Sequence, residues 1–465
     1  MTLTAYAVLV LLIGVLASRT SLLRAQVVLC LFGATTAIAL PALGGAVIVV
    51  PVLCMPFLAL RAFNESYGSG AAWHMSRPGF WLLMTVFWGL AVTAFIPRLM
   101  RGEILIITVD RLAAAGAALK PLEPVSGNVS QSVYAIGNVV MFVAARHLLG
   151  SEERMLVFGR AALWLATLNC VAAVLNLAQF YAGFPNLLQY VRTAYATFDA
   201  YEGSSGFMRI HGTWHEASAF AQFSLCMFAY SVNLWLSGYH SRWSGGVALL
   251  LLFFLAISTS TTAYVGLGMY LGILGLSLLR RGQVQGRLPR GAFLIASVVF
   301  LLLVVSILVL LETPIAAKFS NLFRVALIDK LDSSSAENRG AWNAQAWNNL
   351  WDSYGVGVGF GTARASSFLL TLMSNVGLIG TLMYAAFLWN VLRPLPVLPS
   401  PEPHALTVAR ASGHAVIGAL CAAVLSGSAF DRRSEFYLLA AAASIGVAVF
   451  QPVVSRARRG VFVTP

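Results

Sequence analysis

Four ionisable side chains fall within eight residues in Arg209-Ile-His211-Gly-Thr-Trp-His215-Glu216, a run that ends where an apolar stretch begins. Such groups are costly at the edge of an apolar phase unless they face a wet cavity, which makes them candidates for function. A guanidinium holds an anion through a planar fork of donors, and Glu216, His211 or His215 offers a base for a proton. Glu216 stands at a helix start, where the helix dipole favours its anionic form. His211 and His215 are four apart, as two zinc ligands on one helical face would be. Against zinc, Gly212 interrupts such a helix, the order HxxxHE is not HExxH, and the spacing supplies no third ligand.

A second constellation is Glu337-Asn-Arg339-Gly-Ala-Trp342, followed by Gly355, Gly357, Gly359, Gly361 and Arg364. Alternating glycines allow tight turns whose N–H groups can face an anion, or form a flexible turn onto a membrane. The run departs from GxGxxG and follows no nucleotide-binding strand pattern, so a dinucleotide site is not expected. Arg339 and Arg364 bracket it, and guanidinium suits phosphate oxygens. A third run, Ser258-Thr-Ser-Thr-Thr262, places five hydroxyls in an apolar context. Hydrogen bonding between helices is the commoner use of such a run, and lining a polar cavity is the other. The chain has no Walker loop, no catalytic Ser-His-Asp motif and no acidic pair for a metal–nucleotide donor. Chemistry here requires a substrate already in the membrane that carries its own activating group.

These residues must be held by membrane helices. Of 465 residues, 59 % are apolar and only 10 % charged, and the mean hydropathy is +0.80. Soluble proteins spend about 25 % on charged residues, and disordered chains are poor in apolar ones. The bilayer is therefore the main partner. The net charge of +13 is scattered between apolar segments and forms no stripe, which argues against nucleic acid and for lipid headgroups or phosphates. Five cysteines in apolar stretches, without a CxxC or Cys/His cluster, read as small buried hydrophobes. The N-terminus lacks the basic start and small-residue site of a cleaved signal.

A helix needs about 20 apolar residues to cross the hydrocarbon core. Segments of this kind lie near 3–18, 25–42, 45–60, 79–96, 129–149, 157–183, 216–237, 244–260, 261–279, 292–311, 366–392, 405–427 and 434–451. A further one at 103–118 is interrupted by Asp110 and Arg111. The expected fold is an all-α polytopic membrane protein with about 12–14 helices. The basic connection Arg280, Arg281, Arg287, Arg290 and the basic tail Arg456, Arg458, Arg459 belong inside by the positive-inside rule. Residues 184–215 and 312–365 then form two large external loops, between helical regions 1–183, 216–311 and 366–465. Both loops carry basic residues on the side where these are usually depleted, which an anionic ligand explains most simply and which the freedom of long loops to carry charge also allows. Sidedness of the N-terminal third depends on whether 103–118 spans.

In combination and order, these motifs resemble the O-antigen polymerase and ligase superfamily, and especially the Wzy-type polymerases of bacterial exopolysaccharide assembly. The resemblance rests on Arg209, Gly212, Glu216, Ser218 and Ala221; on Ser258–Thr262 with Tyr264 and Gly266; and on Arg339, the glycine run, Arg364 and Asn375-Val-Gly377-Leu-Ile-Gly380. It covers about residues 205–390. It implies a GT-C-like membrane glycosyltransferase of the bacterial inner membrane whose two large loops face the periplasm. The implied substrates are glycan donor and acceptor on undecaprenyl diphosphate, joined without cofactor, nucleotide or metal. A flippase and a chain-length regulator would be pathway partners. Arg209 and Arg339 map onto the family's functional arginines, with Arg364 as a third diphosphate-binding candidate. The absence of histidine from 365–375 favours polymerase over ligase. A non-enzymatic flippase is the other alternative, but the chain has no repeat between its halves and its ionisable residues cluster in loops.

Overall fold

The computed structural model describes residues 2–40, 46–69, 75–109, 117–194, 209–285, 334–393, 395 and 403–445. Hydroxyl caps set the first boundaries: Thr4 and Ser18 accept from the N–H groups of Ala7 and Ser21, opening α1 (Ala5–Leu16) and α2 (Arg19–Leu29). A 3₁₀ turn (Cys30–Phe32) ends α2, and three short strands follow the order β1 (Thr2–Leu3), β2 (Thr36–Leu40), β3 (Ala46–Val49), all antiparallel. Helices α3 (Val50–Ser69) and α4 (Arg77–Leu99) lead to a hairpin of β4 (Leu105–Val109) and β5 (Ala117–Pro121). Then come α5 (Ser126–Leu148), α6 (Glu152–Tyr181), α7 (Ala217–Leu236), α8 (Ser241–Ile257) and α9 (Thr261–Gln285). The C-terminal part holds α10 (Ser334–Asp352), α11 (Phe368–Val391), α12 (His404–Leu425) and α13 (Ser434–Ile445).

Seven of these are long and apolar enough to cross a membrane: α4, α5, α6, α7, α9, α11 and α12. Helices α1, α8 and α13 are apolar but shorter. Large side chains such as Phe87, Leu249, Leu382 and Trp389 face outward, as they do when the surrounding solvent is lipid. Helix α7 is the axis of the bundle, with Ala217 through Leu234 all buried. It meets α12 closely because Gly418 leaves no side chain between them; a β-carbon there would come within 2.8 Å of Ala229.

The structure corrects two expected spans, makes strands of the interrupted stretch at 103–118, and adds two small sheets to a chain that is otherwise the mostly helical membrane bundle expected. Residues 25–42 and 45–60 contribute strands β2 and β3, and 103–118 contributes the β4–β5 hairpin. A hydropathy ruler counts apolar residues without asking whether they are helix formers. Thr36-Ala-Ile-Ala-Leu, Ala46-Val-Ile-Val and Leu105-Ile-Ile-Thr-Val are rich in β-branched residues. Antiparallel pairing satisfies their backbone groups, as burial requires. The expected span at 292–311 lies outside the described residues.

Because 103–118 does not cross, the short connections fall into two sets. One end of the bundle carries the bidentate ion pair of Arg154 with Glu65 (2.8 Å for each bond) and the ring contact of Tyr239 with His404. Arg19 lies beside Glu65 at that end, and the up-and-down order of the helices brings Arg77, Arg242, Arg280 and Arg281 there too. The opposite end carries both sheets, residues 182–194, the 209–216 turn, α10 and the α12–α13 connection.

Candidate functional site

The turn 209–216 is built before its charges are placed. Gly212 takes φ +56, and a β-carbon there would come within 2.9 Å of the Phe220 ring. Asn176, in the last turns of α6, accepts from the N–H groups of His211 and Gly212 at 2.9 and 3.2 Å. Arg192 closes the turn from the other side, donating Nε–H and Nη2–H to the Gly212 carbonyl at 2.8 and 2.5 Å. Glu216 is the N-cap residue of α7, and its Oε1 accepts from the Ser218 hydroxyl at 2.5 Å. The carboxylate is thus oriented at the mouth of the most buried helix.

Arg364 is placed by a broken helix. Gly377 interrupts α11 with φ 66 and ψ −169, and the freed Val376 carbonyl accepts from the Trp88 indole at 2.9 Å. Gly355, Gly357, Gly359 and Gly361 all have positive φ and run alongside this break. Val358 and Gly359 donate to the Ser374 and Asn375 carbonyls, both at 2.9 Å, and Leu378 donates to Gly355 O at 2.8 Å. The N–H groups of Gly357, Phe360 and Arg364 go to Ser353, Thr93 and Ile107. With these donors spent internally, the glycine run is a close-packing device and not the anion cradle that its spacing allowed. The Ser258–Thr262 run marks the break between α8 and α9, where the buried Ser258 hydroxyl donates to Leu255 O at 2.8 Å.

Helix α10 completes the site within the second loop. Asn343 accepts from the N–H groups of Ser366 and Ser367 at 2.8 and 3.1 Å, capping the start of α11. One turn of helix away from Arg339, Trp342 lies under the Arg364 guanidinium, 4.3 Å from ring centre to Cζ. Burial lowers the Arg364 pKa from its ordinary value; Glu216 opposes this, and Arg339 adds to it. Arg364 thus feels both Glu216 and Arg339. Arg209 and Glu216 both act on His211 in turn. All six expected residues, Arg209, His211, His215, Glu216, Arg339 and Arg364, lie at the same end of the bundle. Among the described residues, no three His, Cys, Asp or Glu side chains gather as a metal cluster.

Sequence reasoning missed Arg432 and Arg433, and it gave Arg192 no part beyond the basic charge of the first loop. Arg433 has φ +68, lies 4.3 Å over the Trp214 ring, and pairs through Nε with Glu435 Oε1 at 3.0 Å. Arg432 donates to Gln222 Oε1 at 2.9 Å and stacks on Phe368. The signal was present: Asp431-Arg-Arg-Ser-Glu435 puts four charges in five residues between two apolar stretches. A short charged connection of this kind has no spacing that singles it out. Removing Arg433 strands Glu435, whose side chain is only 6 % exposed. Arg433→Ala is expected to cost about 3 kcal/mol of stability. The double variant with Glu435→Gln is expected to recover most of the loss, as read from the unfolding midpoint in detergent.

The two histidines feel their neighbours in the same sense: burial and the arginines lower each pKa, and Glu216 raises it. His211 is buried, and its pKa falls to about 4 through burial, with Arg192 and Arg209 acting in the same sense and Glu216 opposing. His215 is also lowered by burial, against the pull of Glu216 and with Arg433 and Arg364 reinforcing it. His211 is thus neutral at neutral pH. Between its folded value near 4 and the ordinary 6.5, the unfolded chain binds the extra proton. Its contribution is complete above pH 6.5 and is lost as pH falls towards 4. His211→Gln is expected to remove about 2–3 kcal/mol of acid-induced destabilisation. Thermal unfolding of both proteins at pH 7.5 and 4.5 checks this; an unchanged acid loss would exclude His211 as its source.

No protein-family model matches the chain, and no curated protein matches it in sequence.

Proposed function

We propose that this chain is a bacterial inner-membrane glycosyltransferase that polymerises oligosaccharide repeat units carried on undecaprenyl diphosphate. In this reading, residues 184–215 and 312–365 are periplasmic loops of a GT-C-like enzyme that uses no nucleotide or metal. One observation carries it: Arg364, held over Trp342 one helical turn from Arg339, lies at the same end of an apolar bundle as the turn that carries Arg209 and Glu216. Sidedness supports it in part: Arg19, Arg77, Arg242, Arg280 and Arg281 flank connections at the other end, as the positive-inside rule requires of a cytoplasmic face, while Arg98, Arg101, Arg432 and Arg433 lie at the end of the site.

The chemistry follows from charge. The acceptor hydroxyl attacks the anomeric carbon, forming the new glycosidic C–O bond as the sugar–phosphate bond breaks. The diphosphate leaves with the electron pair, and the hydroxyl proton passes to Glu216. Guanidinium groups beside the diphosphate bind it most strongly when its charge is greatest, in the transition state. Stacking on Trp342 fixes the Arg364 plane in advance, so little reorganisation is needed. Glu216 suits the base better than His211, whose side chain is sealed from solvent at 3 % exposure.

Purified protein incubated with undecaprenyl-diphosphate-linked repeat units, without nucleotide or metal, is expected to yield a ladder of lengthening glycans. Transfer of a single glycan to an unrelated acceptor would indicate a ligase, and unchanged starting material would refute the proposal.

A further inference from the structure

Helix α10 is turned inside out for a helix that packs on a protein. Its polar side chains face the bundle: Asn343 caps the start of α11, Gln345 Nε2 donates to Leu105 O at 2.7 Å, and Asn349 is buried beside Ser374. Its large aromatic side chains face away. Trp347 is 44 % exposed and Trp351 54 %, with their rings edge to face at 5.6 Å. A surface helix in water buries its apolar stripe and turns its polar side outward. The opposite arrangement is stable where the outer medium is itself apolar.

The outward half of α10 is divided again. At about 100° per residue, Gly340, Ala344, Trp347 and Trp351 fall within about 60° of one another, and Glu337, Asn348 and Asp352 occupy the adjoining sector. All seven are exposed. An apolar edge beside a charged one suits a helix lying in the plane of a membrane surface, with tryptophan at the boundary of acyl chains and headgroups.

The surroundings of α10 name that medium. Just past its end, Tyr354 is 87 % exposed, and the next residue, Gly355, accepts from the Leu378 N–H at 2.8 Å. Leu378 and Leu382 are themselves exposed on α11, a helix long and apolar enough to span. The aromatic edge therefore ends beside the outward apolar surface of a spanning helix, and the two share one solvent.

We infer that α10 is an interfacial helix, with the Trp347–Trp351 edge seated between the headgroups and acyl chains of the bilayer and with Asn348 and Asp352 in water. The same helix carries Arg339, and its Trp342 lies under Arg364, so this seat holds both guanidinium groups at headgroup depth. The inference does not depend on glycan joining, because depth is read without turnover.

The test is nitroxide accessibility in the full-length protein, in nanodiscs of phosphatidylcholine and phosphatidylglycerol. Single labels at Trp351→Cys and Asn348→Cys are compared, with oxygen and a water-soluble nickel chelate as colliding reagents and Leu382→Cys as the lipid-facing reference. The five native cysteines are buried, and unsubstituted protein taken through the labelling sets the background. The ratio of oxygen to nickel collisions is expected to be several-fold higher at residue 351 than at residue 348, and to approach that of the reference. Nickel reaching residue 351 as freely as residue 348 would mean a solvated helix, and exclusion of both reagents from residue 351 would mean a protein cover; either overturns the inference. Trp347→Phe combined with Trp351→Phe keeps an aromatic ring at both positions and supplies an independent reading. The tryptophan emission lost in this double variant is expected to be emission that lipids brominated near the headgroup end of their chains quench. If brominated lipid leaves that emission unquenched, α10 does not sit in the bilayer surface.

Discussion

Replacing Arg364 by alanine is expected to lower the rate of glycan joining by at least about 100-fold, the usual cost of removing one preorganised donor from a developing anion. The expectation comes from position. Arg364 alone among the candidate arginines lines a cavity of about 450 Å³, stacks on Trp342 and feels both Glu216 and Arg339. Arg364→Lys keeps a positive charge but loses the planar fork and the stacking, and is expected to recover only part of the rate. Arg339→Ala acts in the same direction and is expected to abolish chain growth at unchanged protein level. Initial rates of elongation with lipid-linked repeat units, normalised to folded protein, are the measurement. Full activity of Arg364→Ala would remove the diphosphate role assigned to this residue.

Replacing Gly377 by alanine is expected to prevent accumulation of folded protein. Its φ of 66 with ψ of −169 belongs to a region that essentially only glycine visits. A β-carbon there would also collide with the carbonyl oxygens of Gly355 and Val356, which lie directly against it. Strain and collision together are expected to cost about 3 kcal/mol or more. Gly357→Ala meets the same barrier from the other strand, because its β-carbon would reach within 2.8 Å of Asn375 O. Gly272→Ala in α9 is the control: nothing lies within 4 Å of the added carbon, and φ is helical. It is expected to be neutral or to stabilise by about 0.5–1 kcal/mol. Detergent-solubilised monodisperse yield and unfolding midpoint distinguish the three variants.

The contrast between Gly377 and Gly272 also marks where reading residues in order stops being informative. Both are glycines in apolar helical stretches, and no local pattern separates them. One allows two backbones to touch; the other faces open space. The same holds for the β-branched runs at 36–40, 46–49 and 105–109, which look like pieces of membrane helix until their pairing partners are known. Asp431-Arg-Arg-Ser-Glu435 has the composition of an ordinary charged connection, yet its arginines stack on Trp214 and Phe368 beside the 209–216 turn.

Composition and the order of apolar stretches determined that this chain lives in a bilayer, because transfer free energy sums over residues whatever their partners. Local clustering of charge at apolar boundaries determined which residues to examine, since each charge there needs a reason to be tolerated. The tertiary structure alone decided which clusters meet. Arg209, Glu216, Arg339, Arg364 and Arg433 come from three segments separated by long stretches of chain, and Coulomb attraction and ring stacking act through space. It also decided that the glycine run is a contact surface, because only packing reveals whether a backbone N–H already has a partner.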